Sequence, residues 1–301
     1  MPNAARRKTR RKVNPFALVI LVALILIAIA GIIAYSVGYR YISDSGVKFS
    51  GTVKNGQPVS GTVKYADGTS GKLKKDADSP YGTIVYNTGD VYEGAISGIL
   101  RSGKGKITYK ESGAVYEGDF LDDKLTGNAS VTSDDGYSYV GSVVDGKKDG
   151  VGKFVFPDGS YYYGEWSNDK KNGKGEYHYA SGAVYYGTYV DDKRSGSEIV
   201  TVQLENGMLY TGKCRQTFAN GDEYVGDFVN DRRTGKGTYK FATGDVYEGD
   251  FVDGVMNGYG TYRFGAGGTP YTGYFENGQI KESDSTLPET AADENTGENN
   301  G

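Results

Sequence analysis

Side chains able to do chemistry are sparse in this 301-residue chain. His178 is the only histidine and Cys214 the only cysteine. A single histidine rules out a histidine-based metal cluster and leaves a catalytic triad without organised partners. A single cysteine rules out an internal disulfide framework, although an odd cysteine outside the cell is able to pair between chains. Carboxylates recur at Glu93, Glu117, Asp119, Glu165, Asp227, Glu248 and Asp250. Paired acids are the raw material of glycosidases and Ca²⁺ sites. However, Lys104, Lys106, Lys153, Lys174, Lys236 and Lys240 fall in the segments beside them. Cross-strand Lys–carboxylate pairs, worth about 0.2–1 kcal/mol each, account for these acids better. No Asp-x-Asp-x-Asp-Gly loop occurs. The expectation is therefore no enzyme, no metal and no cofactor.

What positions these residues is a repeat. Tyr-x-Gly returns about every 23 residues, with glycines at 94, 118, 141, 164, 187, 212, 226, 249 and 273. A fixed period of this size marks an array of one small unit, which presents a long surface rather than a pocket. In Tyr116-Glu117-Gly118-Asp119-Phe120, alternation puts Tyr116, Gly118 and Phe120 on one strand face and the acids on the other. Second strands such as Gly175-Glu176-Tyr177-His178-Tyr179 keep the same parity. His178 then projects from the charged face as a solvated residue. Asx-Gly pairs at 67–68, 135–136, 158–159, 206–207 and 220–221 precede first strands, and others at 145–146, 253–254 and 277–278 follow them. These pairs predict hairpins with type I′ turns. Glycine between two aromatics is read as room for the rings of the neighbouring hairpin. Tyrosine, 27 copies against 11 Phe and one Trp, buries a ring while keeping its hydroxyl wet. The predicted aromatic face comprises Tyr92, Tyr116, Phe120, Tyr139, Tyr162, Trp166, Tyr185, Tyr210, Cys214, Tyr224, Phe228, Tyr247, Phe251 and Tyr271. Cys214 falls two residues after Gly212, the slot that Phe or Trp holds elsewhere, and is read as a small buried hydrophobe.

These units resemble MORN (membrane occupation and recognition nexus) repeats. The pattern reads here as Tyr162-Tyr163-Gly164-Glu165-Trp166, Gly173-Lys174-Gly175 and Gly182-Ala183-Val184-Tyr185. The resemblance covers about 81–278 and extends weakly to Gly51 and Gly71, where Phe49 and Thr69 replace the tyrosine. It implies an all-β repeat array: stacked antiparallel hairpins in one elongated twisted sheet, often serving assembly. At ~4.8 Å per strand, some ten units would span roughly 90–100 Å.

The amino terminus is different. Arg6, Arg7, Lys8, Arg10, Arg11 and Lys12 precede an apolar run from Pro15 to Val37 that includes Phe16, Ile25 and Ile33. About 20 apolar residues cross the roughly 30 Å hydrocarbon layer. Basic residues before the span predict a cytoplasmic amino terminus and extracytoplasmic repeats. The alternative is a cleaved signal, with Ala28-Ile29-Ala30 as its site and a secreted product, but the apolar run continues past it. The layout is then a basic segment 1–14, a signal-anchor 15–38, degenerate repeats 39–80, the array 81–280 and a disordered acidic tail 281–301. Within the tail, Leu287-Pro288-Glu289-Thr290 looks like a sortase signal but lacks the glycine, apolar stretch and basic end that such a signal needs. Asn128-Ala129-Ser130 fits the glycosylation sequon, relevant only where exported proteins are glycosylated.

The chain carries net charge −4, and −10 without its six leading basic residues. That balance suits neither nucleic acid nor anionic lipid. Between Gly212 and Gly226 the step is 14 residues. One strand instead of two is expected near 205–222, which would flip the later units end for end. A local bulge that restores direction is the alternative. The leading function is a membrane-anchored, non-catalytic scaffold for protein–protein contact, self-association included. The alternatives are a carbohydrate or cell-wall module that stacks sugars on the aromatic face and a phospholipid binder.

Overall fold

The computed structural model describes residues 15–36 and 38–281. The basic segment 1–14 and the acidic residues 282–301, with the Leu287–Thr290 motif, lie outside the described residues. The chain divides into two compact units, 1–147 and 148–301.

In the first unit, helix α1 (Pro15–Ser36) precedes ten strands. These are β1 (Tyr39–Asp44), β2 (Val47–Lys54), β3 (Gln57–Lys64), β4 (Ser70–Lys75), β5 (Tyr81–Tyr86), β6 (Val91–Ser97), β7 (Leu100–Thr108), β8 (Val115–Leu121), β9 (Lys124–Thr132) and β10 (Ser138–Val144). Each pairs antiparallel with the next. The degenerate repeats keep the fold but not the spacing read from sequence. Gly51 pairs with Gly61, as expected of a repeat centre. Gly61, however, faces Leu73, and Gly71 pairs with Val63 and Tyr86. Gly71 is thus two residues from a central position, so it is not a repeat glycine.

The second unit holds β11 (Lys147–Val155), β12 (Tyr161–Ser167), β13 (Lys170–His178), β14 (Val184–Val190), β15 (Lys193–Arg194), β16 (Val200–Gln203), β17 (Leu209–Gly212), β18 (Arg215–Thr217), β19 (Glu223–Val229), β20 (Arg232–Lys240), β21 (Val246–Val252), β22 (Val255–Arg263), β23 (Tyr271–Glu276) and β24 (Gln279–Ile280). All pair antiparallel in one sheet except β16 and β17, which pair only with each other.

The turns fall into two kinds, of which only one is type I′. At Asp145-Gly146, Asp253-Gly254 and Asn277-Gly278 both residues have positive φ, as that turn demands. Before first strands only the glycine does, as at Gly159 and Gly221. Phe156 N–H donates to Ser160 C=O, and Gly159 N–H donates to Phe156 C=O. That is a type I turn closed by a left-handed glycine, and Pro157 suits its second position.

The irregular step is not a flip. Strand β14 pairs with β15 through Tyr189–Arg194 and with β18 through Tyr185–Gln216. β18 in turn pairs with β19. A single strand position is therefore built from two pieces, and β19 runs in the direction of β14. The Asn220-Gly221 turn thus lies on the same sheet edge as Asp158-Gly159. The reason is an insertion. Gly196-Lys213-Cys214 occupies the place of Gly173-Lys174-Gly175, with residues 197–212 looped out between the first two. The Lys213–Asp227 ion pair (2.7 Å) matches Lys236–Asp250 (2.7 Å) one repeat on. The Tyr210-x-Gly212 motif belongs to the insertion and not to the array.

In α1 the side chains at 19, 20 and 22–33 are described, and Ile25 and Ile33 are exposed. That of Phe16 lies outside them. Among the described residues no helix is long and apolar enough to cross a membrane. The anchor expected over 15–38 lies partly outside them.

Candidate functional site

The repeat centre is a tyrosine lying along its own strand. Tyr162 is fully buried, and its hydroxyl donates to the carbonyl of Glu165, three residues on, at 3.0 Å. Tyr92, Tyr139, Tyr185, Tyr224 and Tyr247 do the same at 2.7–3.1 Å. A register shift just after the central glycine, seen at Gly94, Gly118, Gly164, Gly226 and Gly249, disturbs the ladder there. Such a bulge leaves backbone groups for side chains to satisfy. The hydroxyl is therefore not kept wet. Burial pushes the Tyr247 phenol up to about 12, and Tyr185 and Tyr189 in the same direction.

The glycines serve this same tyrosine rather than the neighbouring hairpin. A Cβ on Gly175 would stand 2.5 Å from Tyr162 Cε2, and one on Gly237 2.5 Å from Tyr224 Cε2. Tyr116 supplies the contrast. Its glycine, Gly118, pairs with Ala129 instead of a second glycine. Tyr116 is only half-buried and packs edge-on against Tyr109 at 5.3 Å.

Across the second unit the buried rings interlock edge to face. Trp166, Tyr162, Tyr189, Tyr185, Phe228, Tyr224, Phe251, Tyr247, Phe275 and Tyr271 follow one another at 4.8–5.5 Å between centroids. Tyr92 and Phe120 make the same contact in the first unit at 5.2 Å. Such contacts add about 0.5–1.5 kcal/mol each beyond area burial. Phe120, Tyr139 and Cys214 are also buried, whereas Tyr210 and Tyr271 are half-buried. Because the main row is buried, it is not available to stack on sugar rings.

Cys214 is buried, but in the slot of a repeat glycine and not of the aromatic expected there. It follows from the register: Gln216 faces Tyr185 as Tyr177 faces Tyr162. A Cβ on Gly187 would stand 2.7 Å from its sulfur.

A second, half-exposed band of rings borders the buried row on the same face. In the second unit Phe154, Phe156, Tyr177 and Tyr179 are linked at 4.5–5.8 Å. Phe218, Tyr239, Phe241, Tyr262 and Phe264 follow at 4.6–5.9 Å. The second residue of β7, β11, β13, β15 and β20 places a cation over these rings. Lys171 lies 5.1–5.8 Å from Tyr162, Tyr177 and Tyr189, and Arg233 lies 5.0–5.9 Å from Phe218, Tyr224, Tyr239 and Phe251. Arg101 does so over Tyr65, Tyr92 and Phe120 in the first unit.

The cations are held by the turn of the following hairpin. The backbone N–H groups of Arg101, Lys148, Lys171 and Arg194 donate to Asp123, Asp169, Asp192 and Asp231, each at 2.9 Å. Ion pairs add to this at Arg101–Asp123 (3.0 Å), Lys148–Asp169 (3.4 Å) and Arg194–Asp231 (3.0 Å). Sequence reasoning missed this latch, although its signal is plain: Asp123-Lys124, Asp169-Lys170, Asp192-Lys193 and Asp231-Arg232 open four of the second strands.

The expected Lys–carboxylate pairs on the opposite, polar face occur at Lys104–Asp119, Lys236–Asp250 and Lys240–Glu223, at 2.8, 2.7 and 3.4 Å. Around His178 that face is not solvated. Ribbon β16–β17 folds over β13 and β14, burying Val202, Leu204 and Glu176. Glu176 accepts from Glu205 N–H at 2.6 Å and lies 2.9 Å from His178 Nε2. His178 stacks flat on Tyr161 at 4.3 Å, Tyr186 stacks on Tyr210 at 5.4 Å, and Lys153 reaches Glu205 at 2.6 Å. The single histidine is thus half-buried beneath an insertion that the 23-residue period could not foresee. Among the described residues no cluster of His, Cys, Asp and Glu could hold a metal ion.

The MORN repeat family model matches six segments: residues 92–113, 116–136, 139–161, 162–184, 224–246 and 247–269. The unmatched interval 185–223 contains the insertion. A comparison with curated proteins finds no match. Among solved structures, the TCP10 domain of Danio rerio CPAP, in complex with a peptide of Danio rerio STIL, is similar over 68% of this chain and 83% of its own, at 13% identity and TM-score 0.37. The SAS-4 (dCPAP) TCP domain of Drosophila melanogaster, in complex with a Proline Rich Motif of Ana2 (dSTIL), is similar over 70% of this chain and 97% of its own, at 18% identity and TM-score 0.28.

Proposed function

We propose that the chain is a membrane-attached, non-catalytic repeat scaffold that holds a protein partner on the aromatic face of its array. The observation that carries this reading is the half-exposed band of Phe154, Phe156, Tyr177 and Tyr179, and of Phe218, Tyr239, Phe241 and Tyr262. Rings with one face packed and one accessible give contact area at little entropic cost, and aromatic residues and arginine are enriched where proteins bind each other. The buried row beneath holds the band rigid, which lowers the ordering cost of binding. The polar face, with its Lys–carboxylate pairs, offers less to a partner.

Attachment through residues 15–38, with the repeats extracytoplasmic, rests on the apolar run and the basic residues before it. Alkaline carbonate extraction of native membranes, with and without residues 1–38, tests it. Extraction of the full chain into the soluble fraction would count against attachment. For the scaffold, proximity labelling from the carboxyl terminus in the native cell should enrich the same few proteins in replicate. That enrichment should fall when Tyr177 and Tyr239 are both replaced by Ser. Labelling that is indifferent to the double variant would sink the role of this face.

A further inference from the structure

Of the second strands that carry a cation at their second residue, one lacks the carboxylate of the latch. Where Arg101, Lys148, Lys171 and Arg194 meet Asp123, Asp169, Asp192 and Asp231, the turn after Arg233 is Asp253-Gly254. The backbone half of the latch survives, as Gly254 N–H donates to Arg233 C=O at 2.9 Å. The carboxylate half is missing, and the Arg233 guanidinium instead donates through Nη2 to the Gly254 carbonyl at 2.5 Å. It has no ion pair within 4.0 Å among the described residues. It faces a groove of about 210 Å³ shared with Tyr239, Phe241, Phe251, Val255 and Met256.

A guanidinium carries five N–H donors in a fixed fork that matches a carboxylate. Here it is partly desolvated over four rings and also engages Tyr239, whose hydroxyl donates to Asp222 at 2.7 Å, but its five donors exceed these partners and the Gly254 carbonyl. An incoming carboxylate would form the strong, charge-assisted type of hydrogen bond, while apolar neighbours of that residue would meet the groove walls. We infer that the Arg233 groove takes an aspartate or glutamate side chain of a partner polypeptide, which supplies the carboxylate that Gly254 withholds from the latch. The inference rests on the scaffold reading and names the chemistry of its partner at one position.

The repeat itself provides the competitor. Gly254 has φ +89°, and its counterparts Asp123, Asp169, Asp192 and Asp231 sit at +69° to +71°. A Cβ at Gly254 meets nothing nearer than Arg233 Nη2 at 3.9 Å. Gly254→Asp should therefore fold as its neighbours do and fill the site from within.

The test is selection of a random dodecapeptide phage library on the immobilised full chain, wild type beside Gly254→Asp and Arg233→Met. Wild type should enrich peptides sharing one acidic position, with about tenfold weaker binding when that residue is amidated to Asn or Gln. Both variants should lose this preference while keeping wild-type circular dichroism. Three outcomes overturn the inference: enrichment without an acidic position, the same acidic preference in Gly254→Asp, or no enrichment. If proximity labelling finds a partner that Gly254→Asp still binds equally, the scaffold reading stands and this inference alone fails.

Discussion

The ring of Tyr162 lies across Gly175 of the paired strand, close enough that a single methyl there would stand 2.5 Å from Cε2. Strand pairing alone does not require glycine at that point, since Ala129 occupies the matching place in β9. What requires it is the tyrosine folded back along its own strand to reach the Glu165 carbonyl at 3.0 Å. Gly175→Ala should therefore either push the ring out of the buried row or force the strands apart. Overpacking of this kind costs about 1–3 kcal/mol. Urea unfolding of Gly175→Ala against wild type measures it, and a loss below a few tenths of a kcal/mol would show that the ring is not constrained by its glycine.

Tyr162→Phe separates the two halves of that arrangement. The ring stays and the Glu165 carbonyl loses its donor, a change of about 1 kcal/mol. Tyr162→Ala also removes the ring that meets Trp166 and Tyr189, both at 5.1 Å, and should cost about 3–5 kcal/mol. The two midpoints, read in the same denaturant series, should differ clearly. Equal losses would mean that the hydroxyl, not the ring, carries the repeat.

The latch at Arg194 and Asp231 gives a pH dependence. Burial alone would raise the Asp231 carboxyl, but the hydrogen bonds and charge of Arg194 outweigh it and hold the group below the ordinary aspartate range. A carboxylate lowered in the folded state stabilises above its unfolded pKa and loses that contribution as pH falls through the folded one. Wild type should therefore lose an increment of stability below about pH 4 that Asp231→Asn lacks. Thermal midpoints of the two chains between pH 7 and pH 2.5 test this. Parallel curves would show that the latch is not coupled to ionisation.

How much of this was legible in the sequence follows from period and parity. Tyr92, Tyr162 and Tyr247 fall on the buried face because a strand alternates, and no long-range knowledge is needed to see it. The direction of the tyrosine hydroxyl was not legible: the bulge has its mark in a positive-φ glycine of the second strand, such as Gly173 or Gly235, but that glycine shows where the ladder breaks and not which side chain satisfies it. Cys214 and His178 were misplaced for one shared reason. Counting forward from Tyr210-x-Gly212 assumes that every such motif opens a repeat, whereas this one lies in an inserted ribbon. Gly196 and Lys213, sequence neighbours of nothing repeat-like, together rebuild a strand that only the pairing of β14 with β15 and β18 reveals. The Arg233 groove is legible in retrospect: in the hairpin after Arg233, Asp253-Gly254 stands where Asx-Asp forms the latch elsewhere, and Val255-Met256 replaces the basic pair that opens β11, β13, β15 and β20.

Glu176 should hold the ribbon down. Its carboxylate is buried, and it accepts the Glu205 N–H at 2.6 Å. Glu176→Ala leaves that N–H without its acceptor and opens space beneath Leu204, at a cost of about 1–3 kcal/mol. Because the ribbon pairs only with itself, the loss should appear as local opening rather than global unfolding. Hydrogen exchange should speed up at the amides of Glu205 and Val202 while the array amides of β19 to β22 keep their protection. Uniform acceleration across the sheet would mean that the ribbon is part of one cooperative unit.

Removal of the ribbon tests the reading of the strand it interrupts. Deleting residues 197–212 joins Gly196 to Lys213 and Cys214, recreating the spacing of Gly173-Lys174-Gly175. The partners are already in place: Gly196 bridges Phe228, Cys214 C=O accepts from Gly226 N–H at 3.0 Å, and Lys213 pairs with Asp227 at 2.7 Å. The shortened chain should fold, because closing a 16-residue excursion removes the entropic cost of ordering that loop. With Val202 and Leu204 removed, it should lose only the cover over Glu176, and His178 should become accessible to diethyl pyrocarbonate. If β15 and β18 were instead two unrelated bridges, the deletion would pull β14 away from β19. The ring contact of Tyr185 with Phe228, 5.4 Å in the intact chain, would then be broken, and cooperative unfolding of the second unit would be lost with it.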